Sequence, residues 1–520
     1  MIDSAMTVTF VLLLASLIVG LLSRRNSKLA MAATACGLII AAVFAFVSDT
    51  GVTALDQSLR PGQAISWASQ RWLVGKGVAI SCALLLFAAE LHRHLRWTML
   101  AQLAGLVLVC GGTSPLVVLA ALQLVVALSL RPQTSRQSAS SDPRWGLWTG
   151  LWMTVGFVLL MNSSPSSSTE SSQLTTLATV LVIGTSLAQL PLSIWRRSQR
   201  QDSSVSTFTD FPVHVAVGVF LWRLTSFPQD LGLMIDTTTA QSLLIVTSII
   251  SLLLSVVMSY RTKSLSDWAN LAWLIGWGPM LALMSLSLLQ SEQSAVWTSL
   301  RSWPDAASIV MGWIVWLSLG GSLLLFLERE YLIAWKHRAS TSLPNETSHE
   351  HVDRDIIAGW GRQRPILGVS LTVLAFSLAG APFTWGFWQL MVTIESLTTV
   401  RIQASLTGFI DPVVVYQFIV LLWGCALAAF WKQTYGWLVC LWADPVKASP
   451  AREQTQIRSL TCGGLAMTMV LIGLVPGPML RLLVRCQDRS DTVAEKLPSS
   501  NHPQPVQLAH QLSESTPRHE

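Results

Sequence analysis

The stretch Asp355-Ile-Ile-Ala-Gly-Trp-Gly-Arg-Gln-Arg-Pro365 leads directly into an apolar run that is broken at Gly380-Ala-Pro-Phe-Thr-Trp-Gly386. A proline between two glycines halfway along an apolar run predicts a discontinuous membrane helix. Backbone groups left unpaired at membrane depth are tolerated only where protein or water covers them. A break of this kind therefore indicates the path of an ion or a substrate.

The composition of the whole chain agrees with a membrane protein. Of the 520 residues, 51% are hydrophobic and only 12% are charged, and the mean hydropathy is +0.51. These values exclude a soluble globular protein. At about 20 apolar residues per span, the sequence predicts an all-α polytopic protein of about fourteen transmembrane helices. The predicted spans lie near 7–23, 29–48, 72–89, 97–113, 114–130, 145–162, 175–195, 211–226, 241–258, 268–289, 306–327, 366–392, 411–433 and 459–480.

Arginine and lysine are distributed unevenly among the predicted loops. The first span has no basic residues before it and is followed by Arg24, Arg25 and Lys28, which predicts a retained helix with its N-terminus outside. The later inside loops are rich in Arg and Lys, and the outside loops are nearly empty of them. The main exceptions are Arg60, Arg71, Arg301 and Arg401. The net charge of +6 therefore comes mostly from the inside loops of the membrane topology and does not indicate nucleic-acid binding.

The C-terminal end conflicts mildly with this topology. An even number of spans places that end outside, yet it begins with Arg481, Arg485 and Arg489. Either a span near 433–443 is miscounted or the earlier loops outweigh this charge. The residues that follow are rich in Ser, Pro, Gln and His and predict a disordered polar tail.

Two stretches share one design, a polar inside loop followed by a helix that is interrupted at mid-depth. Residues 196–236 contain Pro212, and residues 354–395 contain Pro382. Paired breaks near these prolines predict an inverted repeat with the working site between its halves. A single mid-span proline such as Pro212 is also common in polytopic proteins without a repeat. The predicted parts are N-terminal helices (1–113), a first half (114–258), a second half (259–485) and the tail (486–520).

The motifs resemble a known family. Gly359-Trp-Gly-Arg-Gln-Arg-Pro365 and Ser377-Leu-Ala-Gly-Ala-Pro-Phe-Thr-Trp-Gly-Phe387 are similar to motifs of subunit N of complex I (NADH-quinone oxidoreductase) and of the related Mrp-type antiporter subunits. These motifs read Gly-Leu-Gly-Arg-X-X-Pro and Ser-Leu-Ala-Gly-Ile-Pro-Pro-Thr-Ala-Gly-Phe. Gly184, Pro191 and Trp195 also match the family without a gap.

The resemblance implies a proton pathway through the membrane, but most of the family's charged residues are replaced here. Gln123 stands where the family has a glutamate. Ser186 and Leu390 stand in place of lysines, and Ser193 stands in place of a histidine. The candidate pathway residues that remain are His214, Arg144, Lys263, Arg223 and Gln123, with Lys76 and Glu395 at span ends.

The chemistry of these candidates differs. His214 lies nine residues before Arg223, and an imidazole with an ordinary pKa of about 6.5 exchanges protons at working pH. The alternative for His214 is a structural side chain satisfied by a backbone carbonyl. We expect Arg144 and Arg223 to extend toward the inside surface. Gln123 can orient water or hydrogen-bond across helices, but it cannot titrate.

No motif for a soluble active site is present. There is no G-x-G-x-x-G after a strand, no P-loop and no HExxH, and the seven cysteines show no C-x-x-C. We therefore expect no catalytic residue, metal or cofactor site in this chain. The resemblance implies that NADH, flavin, iron-sulfur clusters and quinone belong to partner subunits, that other membrane-arm subunits flank the chain, and that the membrane is of the bacterial inner type.

Three hypotheses follow for the function. The first is a proton-translocating, subunit N-like component of the membrane arm of an NADH-quinone oxidoreductase type assembly, pumping weakly or not at all on its own. The second is a structural paralogue that keeps the antiporter fold as a packing element. The third is a cation/proton antiporter or an inorganic-carbon uptake subunit. The loop from Asp355 to Pro365 is most similar to subunit N and favours the first.

Overall fold

The structure, a computed structural model, is built only from helices in the part of the chain that it describes. Those residues are 4–22, 33, 96–111, 114–129, 143–162, 169–189, 211–226, 233–262, 265–292, 306–317, 320, 321, 323, 357–398, 412–444 and 456–476. The predicted spans at 29–48 and 72–89 and the predicted tail lie outside them. The helices in chain order are α1 Ser4–Leu22, α2 Arg96–Gly111, α3 Pro115–Ser129, α4 Pro143–Asn162, α5 Thr169–Gln189, α6 Phe211–Ser226, α7 Thr237–Ser259, α8 Leu265–Glu292, α9 Ala306–Leu317, α10 Trp360–Gln363, α11 Pro365–Leu378, α12 Trp385–Thr398, α13 Pro412–Trp442 and α14 Gln456–Leu474.

Three of these helices are long and apolar enough to cross a membrane by themselves. They are Thr237–Ser259, Asp267–Leu289 and Val413–Trp442. Most of the others are shorter apolar helices. The chain is therefore an all-α polytopic membrane protein, as its composition predicts.

Helix α13 is longer than the sequence predicts. The predicted span ended near 433, but α13 continues without interruption to Trp442, over 31 residues. This single helix excludes a separate span at 433–443. At about 1.5 Å per residue, α13 exceeds the roughly 30 Å of a hydrocarbon core, so one of its ends projects beyond the core.

Helix α8 forms the centre of the described bundle. Its apolar segment is buried along its whole length, and it packs against α6, α7, α12 and α13. Helix α7 faces it with buried serines: the Ser248 hydroxyl donates to the Gly278 carbonyl at 2.7 Å, and the Ser251 hydroxyl donates to the Leu274 carbonyl at 2.9 Å. Small side chains of this kind allow two membrane helices to approach closely.

The loop that precedes α11 is fixed against the end of α13. The Gly359 N–H donates to the Cys440 carbonyl at 3.2 Å, and Gly359 has a φ of +80°, which favours glycine. A Cβ on Gly361 would lie only 2.6 Å from the Trp442 ring. Arg362 forms an ion pair with Asp444. The Gly-Trp-Gly-Arg motif therefore has a packing role at one end of α13.

Pro212 does not interrupt the described part of its helix. It lies in the first turn of α6, which is continuous from Phe211 to Ser226. Proline is accommodated in a first turn because the N–H groups there have no intrahelical acceptor. Pro212 thus lies at the start of a described helix, and the break predicted near it stays a prediction. The residues directly before it, 190–210, lie outside the described residues.

Candidate functional site at the broken helix

The break predicted at Pro382 is confirmed. Helix α11 ends at Leu378 and α12 begins at Trp385. Gly380 has a φ of +70°, its N–H donates to the Ser377 carbonyl at 3.2 Å, and the Ala381 N–H donates to the Phe376 carbonyl at 2.8 Å. This pair of bonds is a Schellman motif, which satisfies two of the carbonyls that a helix end leaves free.

Ser377 joins the two halves of the broken helix. A Cβ on Gly386 would overlap the Ser377 carbonyl, so the first turn of α12 approaches the last turn of α11 only because residue 386 is glycine. The Ser377 Oγ accepts a hydrogen bond from the Gly386 N–H at 3.3 Å and a second one from the Trp316 indole at 3.0 Å. A single buried hydroxyl therefore connects α9, α11 and α12.

Tryptophans surround the break and act as neutral hydrogen-bond donors. The Trp313 indole donates to Thr393 Oγ1 at 2.9 Å, and the Trp388 indole donates to the Gly473 carbonyl at 2.7 Å. The rings of Trp313 and Trp316 meet edge to face at 5.0 Å between centroids, and Trp423 lies 6.0 Å from Trp313. This aromatic cluster holds α9, α12 and α13 together without a charged group.

A small cavity lies between the break and this cluster. None of its twelve lining residues is titratable. Leu390, which the resemblance aligns with a family lysine, lines the cavity and closes over the break: a Cβ on Gly380 would lie 2.7 Å from the Leu390 Cδ1. The space at this point can hold water but offers no side chain that gains or loses a proton. The lining residues are Ala272, Ile275, Gly276, Trp313, Trp316, Ser377, Leu378, Gly380, Gly386, Leu390, Trp423 and Leu427.

Gln123 is engaged in helix packing. Its side-chain N–H donates to the Gly150 carbonyl at 3.0 Å and to Thr154 Oγ1 at 3.4 Å. A Cβ on Gly150 would lie 2.7 Å from the Gln123 Oε1. Of the two roles considered for Gln123, the structure shows the hydrogen bond across helices, from α3 to α4.

The second half contains a similar pairing of glutamine and glycine. The Gln389 side chain donates to the Ile309 carbonyl at 2.8 Å, and a Cβ on Gly312 would lie 2.7 Å from the Gln389 Oε1. The α12 residue before Leu390 is therefore a neutral amide bonded to α9. We call the Gln123–Gly150 and Gln389–Gly312 pairs the amide clasps.

His214 is buried in the first turns of α6, with 3% of its surface exposed. Its ring stacks on Trp273 of α8, with centroids 5.7 Å apart and an interplanar angle of 28°. It does not line the cavity at the break. The structure therefore places this histidine at the contact of the central helix α8 with α6.

Arg223 differs from the expectation that it extends toward the inside surface. Only 1% of it is exposed, and its guanidinium donates to the Val109 carbonyl at 2.7 Å. This carbonyl lies in the last turn of α2, whose final carbonyls have no intrahelical donor. The buried guanidinium thus fixes α6 to the end of α2.

The structure shows less about the remaining candidate proton-pathway residues. Arg144 lies in the first turn of α4, and Lys263 lies outside the described residues. Ser186 donates to the Val182 carbonyl within its own helix at 2.7 Å. Gln123 bonds to α4 and Arg223 bonds to α2, so these two candidates are engaged with different helices.

Sequence reasoning missed Gln389, Trp313, Trp316 and Trp423 as site residues. The spacing of Trp313 and Trp316 by three residues on an apolar helix was the available signal. Their partners, Thr393 and Ser377, lie 80 and 61 residues away along the chain. Such pairings need the folded structure.

No model of a protein family matches the sequence, and no curated protein matches it. Solved structures do match. A chain of respiratory complex I from Thermus thermophilus with bound aureothin is similar with a TM-score of 0.63 at 15% identity, covering 92% of this chain and 99% of that chain. A chain of the same complex with bound NADH gives 0.61 at 15% identity, covering 94% and 99%. A chain of the Mrp complex from Dietzia sp. gives 0.60 at 12% identity, covering 93% and 96%. The similarity shows that the chain has the antiporter-like fold which its motifs predicted.

Proposed function

We propose that this chain is a membrane-arm subunit, similar to subunit N, of an NADH-quinone oxidoreductase type assembly in a bacterial-type inner membrane, and that it translocates protons weakly or not at all on its own. The cavity at the broken helix carries this proposal, because its lining contains no titratable residue. The fold similarity to chains of complex I supports the assignment to such an assembly.

A proton relay through lipid needs titratable groups, since a charged group in the hydrocarbon persists only where it has a use. At the positions aligned with family charges, Gln123 is bonded to the Gly150 carbonyl and Leu390 packs over Gly380. Both positions are occupied by neutral side chains that pack. NADH, flavin, iron-sulfur and quinone chemistry then belongs to partner subunits in this proposal.

The test is the number of protons translocated per electron by the purified assembly in vesicles. We expect the wild type to fall below the stoichiometry of related assemblies. We expect Gln123→Glu combined with Leu390→Lys to raise it, because the pair restores a base and a cation at the two positions. Gln123→Glu with Leu390→Met is the matched control, since methionine has a similar size and no charge.

The weak-pump proposal would be contradicted by a wild-type assembly that has the full proton stoichiometry of its relatives and loses part of it in His214→Ala.

A second candidate is a cation/proton antiporter subunit, favoured by the similarity to a chain of the Mrp complex. Sodium-driven proton movement in vesicles that lack any redox substrate would support that candidate instead.

A further inference from the structure

A residue that lines the cavity at the break has a hydrogen-bond donor that no described residue satisfies. Trp423 is 1% exposed, and its indole N–H has no partner among the described residues. Trp423 lines the cavity. A buried indole N–H normally has an acceptor, because desolvating it without one is unfavourable. The cavity is the place from which an acceptor can come.

A second donor is available on the same wall. The Ser377 Oγ accepts hydrogen bonds from the Trp316 indole and the Gly386 N–H. Two accepted bonds occupy both lone pairs of a hydroxyl, so its O–H remains for donation. Among the described residues, no acceptor is bonded to the Ser377 O–H.

The break also leaves one carbonyl without its helical donor at a residue that lines the cavity. The helical donor for the Leu378 carbonyl would be the N–H of the fourth residue after it, which is Pro382 and has no N–H. No backbone N–H of the described residues donates to that carbonyl. Leu378 lines the cavity together with Ser377 and Trp423.

The size of the space limits what can bind these groups. About 10 Å³ of the cavity is open to the centre of a water molecule, which is enough for about one water. Two donors and one acceptor match a water molecule, which can accept and donate. A bound halide would use the donors only.

We infer that a single ordered water occupies this cavity, accepting hydrogen bonds from Trp423 and Ser377 and donating one to the Leu378 carbonyl. The water fills the space at the break beside Leu390, and it carries no charge. The inference goes beyond the proposed function and does not depend on which assembly contains the chain, because it rests only on the groups that line the cavity.

Raman difference spectroscopy of the purified full-length protein tests this water through the indole N–H. One indole vibration shifts when its N–H is hydrogen bonded. The spectrum of wild type minus Trp423→Phe should show a hydrogen-bonded indole. Wild type minus Trp277→Phe is the matched control, because the Trp277 N–H is also buried and without a partner in the described residues, yet Trp277 does not line this cavity. This control should show a free N–H.

If the difference spectrum of wild type minus Trp423→Phe shows a free indole N–H, the inference is wrong. A cryo-EM map of the wild type provides a measurement that needs no variant. We expect a peak about 2.7–3.2 Å from both the Ser377 Oγ and the Trp423 Nε1. An empty cavity would overturn the inference, and so would a peak that strengthens when chloride in the buffer is replaced by bromide.

Discussion

At the scale of single residues, neutral indoles donate several of the hydrogen bonds in the described core. The indoles of Trp222, Trp268, Trp313 and Trp316 are buried, and each donates to a carbonyl or a hydroxyl. The chain has 23 tryptophans and four tyrosines. An indole supplies a large apolar surface and one donor without carrying a charge into the membrane. Part of the tryptophan content therefore lies buried in the described core.

His214 is the residue with the clearest titration test. We expect His214→Ala to reduce the proton translocation that this chain supports. The substitution removes a titratable imidazole at the contact of α6 with α8. Assembly should be unchanged. Proton uptake by vesicles containing the purified assembly measures the effect.

Trp273→Phe is the control for His214, since it alters the ring beneath the imidazole but keeps the titratable group. Equal losses in His214→Ala and Trp273→Phe would assign His214 a packing role. Unchanged translocation in His214→Ala would do the same.

At the scale of elements, the apolar pattern predicted where most described helices lie, and it failed where tertiary contacts decide. The span predicted at 211–226 coincides with α6, and the break at Pro382 is present. The extension of α13 to Trp442 could not be predicted, because this end is held by the loop at Gly361. The break predicted near Pro212 stays a prediction, because residues 190–210 lie outside the described residues.

Gly386 is the element-scale test of the break. We expect Gly386→Ala to lower the thermal unfolding midpoint strongly or to prevent folding, because the added Cβ overlaps the Ser377 carbonyl. Overlap with backbone cannot be relieved by a side-chain rotation. Gly424→Ala is the control: no atom lies within 4 Å of its added Cβ, and alanine favours a helix by about 1 kcal/mol. A Gly386→Ala protein as stable as Gly424→Ala would contradict the described approach of α11 and α12.

Asp236 caps helix α7, and its stabilisation should depend on pH. Partial burial alone would raise the pKa of this carboxyl, but hydrogen bonds from Thr239, Thr238 and Thr176 lower it to about 2. The pKa in the unfolded chain is about 3.9. The stabilisation is therefore fully present above pH ~3.9 and is lost as the pH falls toward 2.

Replacing Asp236 with alanine should cost about 1 kcal/mol near neutral pH, the usual effect of losing an N-cap. The unfolding midpoints of wild type and Asp236→Ala, measured in detergent between pH 7 and pH 2, should approach each other at the acidic end. Asp236→Asn keeps a capping oxygen and should lie between them. A difference that stays constant over this pH range would show that the charge of Asp236 contributes nothing.

At the scale of the whole molecule, the sequence located one side of the candidate site and left the other undefined. The motif from Ser377 to Phe387 marked the break, because glycine and proline act through local backbone geometry. The groups that complete the site, Trp316 and Trp423, come from distant helices, and no local pattern pairs them with the break. The assignment of an inverted repeat to 114–258 and 259–485 stays a prediction.

The amide clasps provide a stability test in both halves of the chain. If both halves use the same device, Gly150→Ala and Gly312→Ala should each lower the unfolding midpoint, because the new methyl group would lie 2.7 Å from the glutamine Oε1 in both cases. Contacting residues show non-additive effects on stability. Gln123→Ala should therefore relieve the loss caused by Gly150→Ala, and Gln389→Ala should relieve the loss caused by Gly312→Ala.

The controls are the crossed combinations, whose effects on the unfolding midpoint should be additive. They are Gln123→Ala with Gly312→Ala and Gln389→Ala with Gly150→Ala. Relief in only one half would show that the two clasps contribute differently to the stability of the protein.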